Sequence, residues 1–241
     1  MKKLLLCVLL LFPVSLYPSA KNTSGTIGGI TVSTSVPDMT SNWTVTAWLY
    51  PTVSPGYNVW YSRYTNSSSG RQLFLSGLGA TGVVRVEIPF VKQVLVGTTP
   101  LTANQWWHVA VTRSGNTWTV YVNGNSDGSV VDATAQESAG LVAIRAGSNL
   151  GPFTIFQGRV AESAGWTAVL STGEISALAH GTPPNRIRAS KLAFYLPLHG
   201  KVSGTHIWAN LRGDALNGDD TPSACLSEPN HAPVGPPGGA N

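Results

Sequence analysis

Cysteine and acid are scarce in this chain, and a long apolar run occurs in one place. The 241 residues hold two cysteines, Cys7 and Cys225, and 11 Asp and Glu. Cys7 lies in the apolar stretch from Leu4 to Leu16, which follows Met1-Lys2-Lys3 and precedes Pro18-Ser19-Ala20. That order of charged, apolar and small residues predicts a secretory signal over 1–20 and a secreted, extracellular product. Pro13 interrupts the stretch, which is shorter than the ~20 residues a spanning helix needs, so the mature chain is expected to have no membrane span. Without Cys7, Cys225 has no intramolecular partner, and the fold must rest on a hydrophobic core; roughly 220 residues are enough for one.

Too little acid also narrows the chemistry. Glycoside hydrolysis needs two carboxyls facing one bond, yet Glu87, Glu137, Glu162, Glu174 and Glu228 are isolated, and Asp219-Asp220 stands in a Pro/Gly-rich region. The five histidines have no acidic neighbours for a triad, and His180, His199 and His206 lack metal-ligand spacing. The chain is therefore read as no enzyme, with no catalytic residue and no metal. The formal net charge of +4 includes Lys2 and Lys3, and the remaining surplus of two, without a contiguous basic run, excludes nucleic acid as a partner.

What is present is alternation. Trp106-Trp107-His108-Val109-Ala110-Val111-Thr112-Arg113 is followed by Ser114-Gly115-Asn116 and then Thr117-Trp118-Thr119-Val120-Tyr121-Val122-Asn123-Gly124. Two period-two runs around a short turn predict an antiparallel hairpin. Trp107, Val109, Val111, Trp118, Val120 and Val122 share one apolar face, the expected core. Trp106, His108, Ala110, Tyr121 and Asn123 share the other.

Similar runs predict strands over 29–36, 43–50, 58–63, 72–76, 83–90, 93–96, 130–131, 141–146, 154–162 and 192–198. One helix is expected near 171–180, with Ser171 or Thr172 as cap, Glu174 as the capping-box carboxylate and Gly181 as the stop. The fold class is all-β, an antiparallel β-sandwich. Residues 21–216 are read as one domain and 217–241 as a flexible Pro/Gly-rich tail, since the tail holds too little aliphatic surface to offset ordering.

The Trp106–Gly124 hairpin resembles the central hairpin of the laminin-G-like, or concanavalin A-like, jelly-roll family of lectins and glucanases. Trp43-Thr44-Val45-Thr46-Ala47-Trp48-Leu49-Tyr50-Pro51 resembles the family's early strand. Phe156-Gln157-Gly158-Arg159-Val160-Ala161-Glu162 through Trp166, then Leu170 to Ile175, resembles its late strand and short helix. Ala161 departs from a position often acidic in relatives, and Trp107 from one often histidine. The resemblance implies a jelly roll and, most often, calcium; Asn123, Asn125, Asp127 and Asp132 are the candidate ligands. So few carboxylates suit a hard cation poorly, so no cofactor is expected.

Alternation leaves Trp48, Trp60, Tyr64, Trp106, His108 and Tyr121 on outer faces as candidate ligand-binding residues, among hydroxyls and amides. Sugars bind such surfaces by stacking on rings while polar neighbours take their hydroxyls. Two accounts of this face stand side by side: a glycan-binding surface, or a minor core covered by other segments. The functional expectation is a secreted, non-catalytic carbohydrate-binding domain whose partner is a glycan or an extracellular surface. The alternative is a structural or adhesive protein-interaction module of a cell envelope or virus particle.

Overall fold

The computed structural model describes residues 19–22, 30–32, 40–52, 58–64, 73–77, 82–88, 91–134, 141–144, 156, 158–197, 207–208, 218–219 and 225–228. In chain order the elements are β1 (Ser19–Asn22), β2 (Ile30–Val32), β3 (Asn42–Pro51), β4 (Asn58–Tyr64), β5 (Leu73–Gly77), β6 (Val84–Ile88), β7 (Lys92–Val96) and β8 (Trp107–Ser114). Then follow β9 (Thr117–Val122), β10 (Asn125–Val131), β11 (Leu141–Ile144), β12 (Gly158–Trp166), α1 (Thr172–Ala179), β13 (Leu192–Leu196), β14 (Ile207–Trp208), β15 (Gly218–Asp219) and β16 (Cys225–Glu228).

Among the described residues the strands form two antiparallel sheets. One runs β10-β9-β8-β3-β12-β1-β16, with β13 also paired to β12; the other runs β14-β15-β2-β11-β4-β5-β6-β7. This is the expected β-sandwich of jelly-roll type. The central hairpin turns at Gly115-Asn116, since Ser114 pairs with Thr117. Gly115 supplies the positive φ of 58° that such a two-residue turn needs. A second hairpin joins β9 to β10 through Asn123 and Gly124, at φ 47° and 83°. Positive φ at both central residues is the requirement that Asn-Gly meets most readily, and the 130–131 strand of the sequence reading is the end of this longer β10.

The core lies between the sheets. Trp43, Val45, Ala47, Leu49, Val109, Val111, Trp118 and Val120 face Trp60, Tyr61, Val84, Val86 and Ile88. The Trp43 and Trp118 rings meet edge to face at 5.7 Å, and Tyr61 stacks on Phe194 at 6.3 Å. Each fully buried aromatic side chain stabilises the fold by about 1.5–3 kcal/mol.

Trp60 corrects a sequence expectation. The register between β4 and β5 shifts between Val59 and Tyr61. A bulge places two residues opposite one, so Trp60 and Tyr61 both enter the core, Trp60 with 0% exposure. Alternation assigns it outward because alternation does not count an inserted residue. The segment read as a flexible tail also contains strands: β15 pairs with β2 and β16 with β1. Backbone pairing there does without the aliphatic surface on which the tail reading relied. Of the expected signal segment, residues 1–18 lie outside the described residues.

Where β7 approaches β10, the sandwich edge is closed by polar groups. Asp127, one of the candidate calcium ligands, is buried. Its Oδ1 accepts from the Thr99 hydroxyl at 2.6 Å and the Thr99 amide at 2.9 Å, and its Oδ2 accepts from the Thr98 amide at 3.0 Å. Asp132 pairs with Lys92 and accepts from the Thr134 amide at 2.8 Å. Both carboxylates of the calcium candidates thus bind the chain itself, and among the described residues no cluster of three potential metal ligands occurs.

Gly165 tests this packing, because a Cβ there runs into the Phe194 ring. Gly165→Ala should lower unfolding free energy in urea by about 1–3 kcal/mol, the cost of overpacking. Phe194→Leu in the same chain should recover part of that loss; a Gly165→Ala variant as stable as the parent would contradict the packing.

Candidate functional site

The outer side chains of the first sheet come from alternate residues of β3, β8, β9 and β12, and the segment after β12 decides which of them meet water. Thr44 Oγ1 donates to the Ala168 carbonyl and accepts from the Leu170 amide, both at 2.9 Å, pulling the chain across the sheet. Ser171 then caps α1: Glu174 N donates to its Oγ at 3.3 Å, and Glu174 Oε2 accepts from the Ser171 amide at 2.7 Å. This is the expected capping box. Gly181, at φ 89°, and Thr182 close the helix by donating to the carbonyls of Leu178 and Ala177, at 3.0 and 2.9 Å. The stop is a Schellman motif.

Helix α1 lays Ile175 and Leu178 on Ala110, Ala164, Trp166 and Tyr195, with Leu170 and Leu192, a second core on the sheet's far side; Tyr121 packs half-buried against it. Trp48 and Trp106 form a smaller cluster with Ala161, against which Tyr50 packs. Exposure is 4% for Trp48, 6% for Trp106 and 1% for His108. Three residues expected to offer an open face are therefore buried, and the minor-core account describes them: apolar rings on a second face pack against one another and away from water. Tyr64 lies in β4 opposite Leu141, and its side chain falls outside the described residues. The five candidates whose side chains are described do not converge: Trp48, Trp106 and His108 stand together, Tyr121 borders α1, and Trp60 lies in the main core.

The opening in this cover is at the start of β12. Arg159 pairs in register with Tyr50, and its guanidinium sits 5.0 Å over the Tyr50 ring. Tyr50 meets Trp106 at 5.4 Å and 59°. The loop before β8 holds Trp106 there: Asn104 takes φ 63°, a left-handed conformation asparagine tolerates, and its amide donates to the Pro51 carbonyl at 2.7 Å. Tyr50 and Arg159 remain half-buried. The half-buried ring and the guanidinium over it form one partly open aromatic and cationic corner of the sheet. Alternation places Tyr50 on this face, but its pairing with Arg159 comes from a cross-strand register that spans more than a hundred residues.

Two ionisable groups, the buried His108 and the half-buried Glu162, lie on β8 and β12. His108 touches the Trp48 ring at 5.4 Å, and its Nδ1 has no partner. Burial, with a smaller contribution from His180, lowers the imidazole to about 3, so it is neutral at physiological pH. Glu162 sits in a bulge of β12, where the register with β3 shifts between Ala161 and Ala164, and its φ is 51°. Its Oε2 accepts from the Tyr195 hydroxyl, while Oε1 has no partner. Burial raises its carboxyl to about 7, against the opposing effect of that hydrogen bond.

Gly124-Asn125-Ser126-Asp127-Gly128 matches the Gly-x-Ser-x-Gly pattern of hydrolase nucleophiles. That pattern works on a strand-to-helix turn, and here it forms a hairpin turn and strand β10, with Ser126 exposed on the strand.

The chain belongs to the concanavalin A-like lectin/glucanase superfamily, whose laminin-G-type profile matches residues 24–176. No curated protein matches the sequence. Among solved structures, the chain is similar to a Bacteroides ovatus protein described as a candidate carbohydrate-binding protein, with 19% identity and a TM-score of 0.67. That match covers 92% of this chain and 62% of the other, so this chain spans under two thirds of that protein's length. It is also similar to the heptameric SAP-like pentraxin of Limulus polyphemus, with 17% identity, a TM-score of 0.53, and 68% and 82% of the two chains covered. A third likeness is the CBM40 domain of a Ruminococcus gnavus sialidase bound to α2,3-sialyllactose: 14% identity, TM-score 0.50, 66% and 97% covered. At these identities the likenesses show the fold.

His108 and Glu162 predict opposite pH slopes. From about pH 3 to His108's ordinary 6.5, the unfolded chain binds a proton the folded chain refuses, so stability falls as pH drops. From Glu162's ordinary 4.5 to about 7, the folded chain keeps a proton the unfolded chain has lost, so stability falls as pH rises. Each slope approaches about 1.4 kcal/mol per pH unit, and they offset each other between 4.5 and 6.5. Urea unfolding of Glu162→Gln should show stability rising across pH 3–6.5, and His108→Gln should show it falling across 4.5–7. Parallel profiles for both variants and the parent would contradict these environments.

Proposed function

We propose that this chain is a secreted, non-catalytic carbohydrate-binding module that holds its ligand at the half-open edge formed by Tyr50, Trp106 and Arg159. The observation that carries the reading is that edge: an aromatic ring partly open to water, backed by a second ring and crossed by a guanidinium, on a rigid sheet of a lectin-type sandwich. Stacking on a sugar's C–H face needs a ring partly open to water, and at this edge Tyr50 is that ring. The description of the Bacteroides ovatus protein and the sialyllactose on the Ruminococcus gnavus domain support the same reading.

Binding without catalysis fits the described carboxylates. Asp127 and Asp132 bind the edge between β7 and β10, Glu174 binds Ser171 and Arg188, and Glu87 lies beside Arg85. Glu162 is a single half-buried carboxyl where glycoside hydrolysis uses two. Secretion rests on the signal-like residues 1–20; among the described residues no helix is long and apolar enough to cross a membrane.

A glycan array followed by calorimetry tests the reading. The parent should bind at least one saccharide, Tyr50→Ala should weaken that binding about three- to tenfold, as loss of one ring contact does, and Tyr50→Phe should retain it. Binding to no saccharide would remove the reading in favour of the structural or adhesive role, and sustained release of reducing sugar would contradict its non-catalytic part.

A further inference from the structure

Beyond this edge, we propose that the loop between α1 and β13 is a second binding surface, one for acidic saccharides bearing carboxylate or sulfate groups. Arg186, Arg188 and Lys191 fall within six residues, Arg-Ile-Arg-Ala-Ser-Lys, in a chain with 15 basic residues among 241. All three are exposed. Because other residues separate them, they form no contiguous basic run.

The loop is held rigid. Two 3-10 turns, Pro184–Arg186 and Ala189–Lys191, are joined at Arg188. The Arg186 and Ile187 amides donate to Pro183 and Pro184 at 2.9 and 3.1 Å, and the Lys191 amide donates to Arg188 at 2.8 Å. Outside the loop, Trp166 Nε1 donates to the Ile187 carbonyl at 2.8 Å and the Thr167 amide to the Lys191 carbonyl at 2.9 Å. Ile187 packs against the second core. Ordering this backbone therefore costs nothing at the moment of binding, the usual advantage of a preorganised site.

Arg188 takes φ 38°, a left-handed conformation that costs a non-glycine residue about 1–2 kcal/mol. Its Nε donates to Glu174 Oε1 at 2.6 Å and its Nη1 to the Val169 carbonyl at 3.1 Å, turning its side chain towards the start of α1. Glu174 is thereby neutralised by Arg188. The side chains of Arg186 and Lys191, on either side, make no hydrogen bond or ion pair among the described residues, and the exposed Asn185 and Ser190 lie beside them in the chain. The result is two uncompensated cations on fixed backbone, one next to an amide side chain and the other next to a hydroxyl.

This charge count selects the ligand. Nucleic-acid sites neutralise about 6–10 phosphates and anionic membranes are held by clusters of about 4–8 basic residues, more than this loop offers. Ile187, turned into the second core, is not available to enter a bilayer. Two separated cations with neutral hydrogen-bonding groups fit a saccharide carrying sparse negative charge. The surface is also distinct from the Tyr50 edge, which lies at the opposite end of β12, about 20 Å along the strand.

Calorimetry against a sulfated oligosaccharide and an oligouronate, at several salt concentrations, tests the assignment, with desulfated and carboxyl-reduced forms as controls. The parent should bind the acidic forms and lose affinity as salt rises. Arg186→Ala/Lys191→Ala should weaken binding about tenfold and flatten the salt dependence, with the thermal midpoint unchanged. Arg188→Gly, which accepts the left-handed backbone, should keep most of the affinity. Tyr50→Ala should leave acidic-saccharide binding intact, so failure of the Tyr50 edge and failure of this surface are read separately. Equal binding by the parent and the double variant, equal binding of the neutralised saccharides, or tighter binding to single-stranded DNA or phosphatidylserine vesicles would overturn it.

Discussion

Water has to be excluded from both faces of the central sheet, and most of the structure follows from that. β3, β8 and β12 carry Val45, Val111 and Val160 on one side, and Trp48, Ala110, Ala164 and Trp166 on the other. The second sheet covers the first side. The other is covered by the segment from Thr167 to Lys191, and burying Leu170, Ile175 and Leu178 contributes roughly 1.5–3 kcal/mol each, enough to matter against the entropy of ordering a short helix. The anchors of that segment, Thr44 at one end and the Trp166 indole at the other, are hydrogen bonds from the sheet to its cover.

The cover also distributes charge and accessibility. His180 at the end of its helix helps to hold the buried His108 neutral, and on its outside the cover carries basic residues that the apolar sheet itself excludes. An aromatic-rich sheet in this superfamily is therefore not by itself a ligand platform. The two surfaces proposed for binding are an edge and a loop.

The sequence already contained the sandwich, the central hairpin and the helix. Period-two runs from Trp107 to Val122 and from Trp43 to Leu49 are local signals, as are Ser171, Glu174 and Gly181 around α1. Trp60 was beyond alternation because a bulge is one extra residue whose effect depends on a partner strand. Trp48 and Trp106 were assigned to the right face, but their burial against Ala161 and Tyr50 depends on packing that alternation does not report. Arg159 and Glu162 stood in a recognisable strand, yet their roles come from register, with Tyr50 across the pair and a shifted backbone at Ala161. The weakness of the tail as an apolar segment was legible; its strand pairing with β1 and β2 was not.

The most direct test of the sealed outer face is nuclear magnetic resonance of the His108 ring nitrogens through an acid titration of the folded protein. A covered imidazole should keep its neutral signals from pH 8 down to about pH 4, as burial holds it near 3. Titration near its ordinary 6.5 would show water reaching the face and would contradict the account.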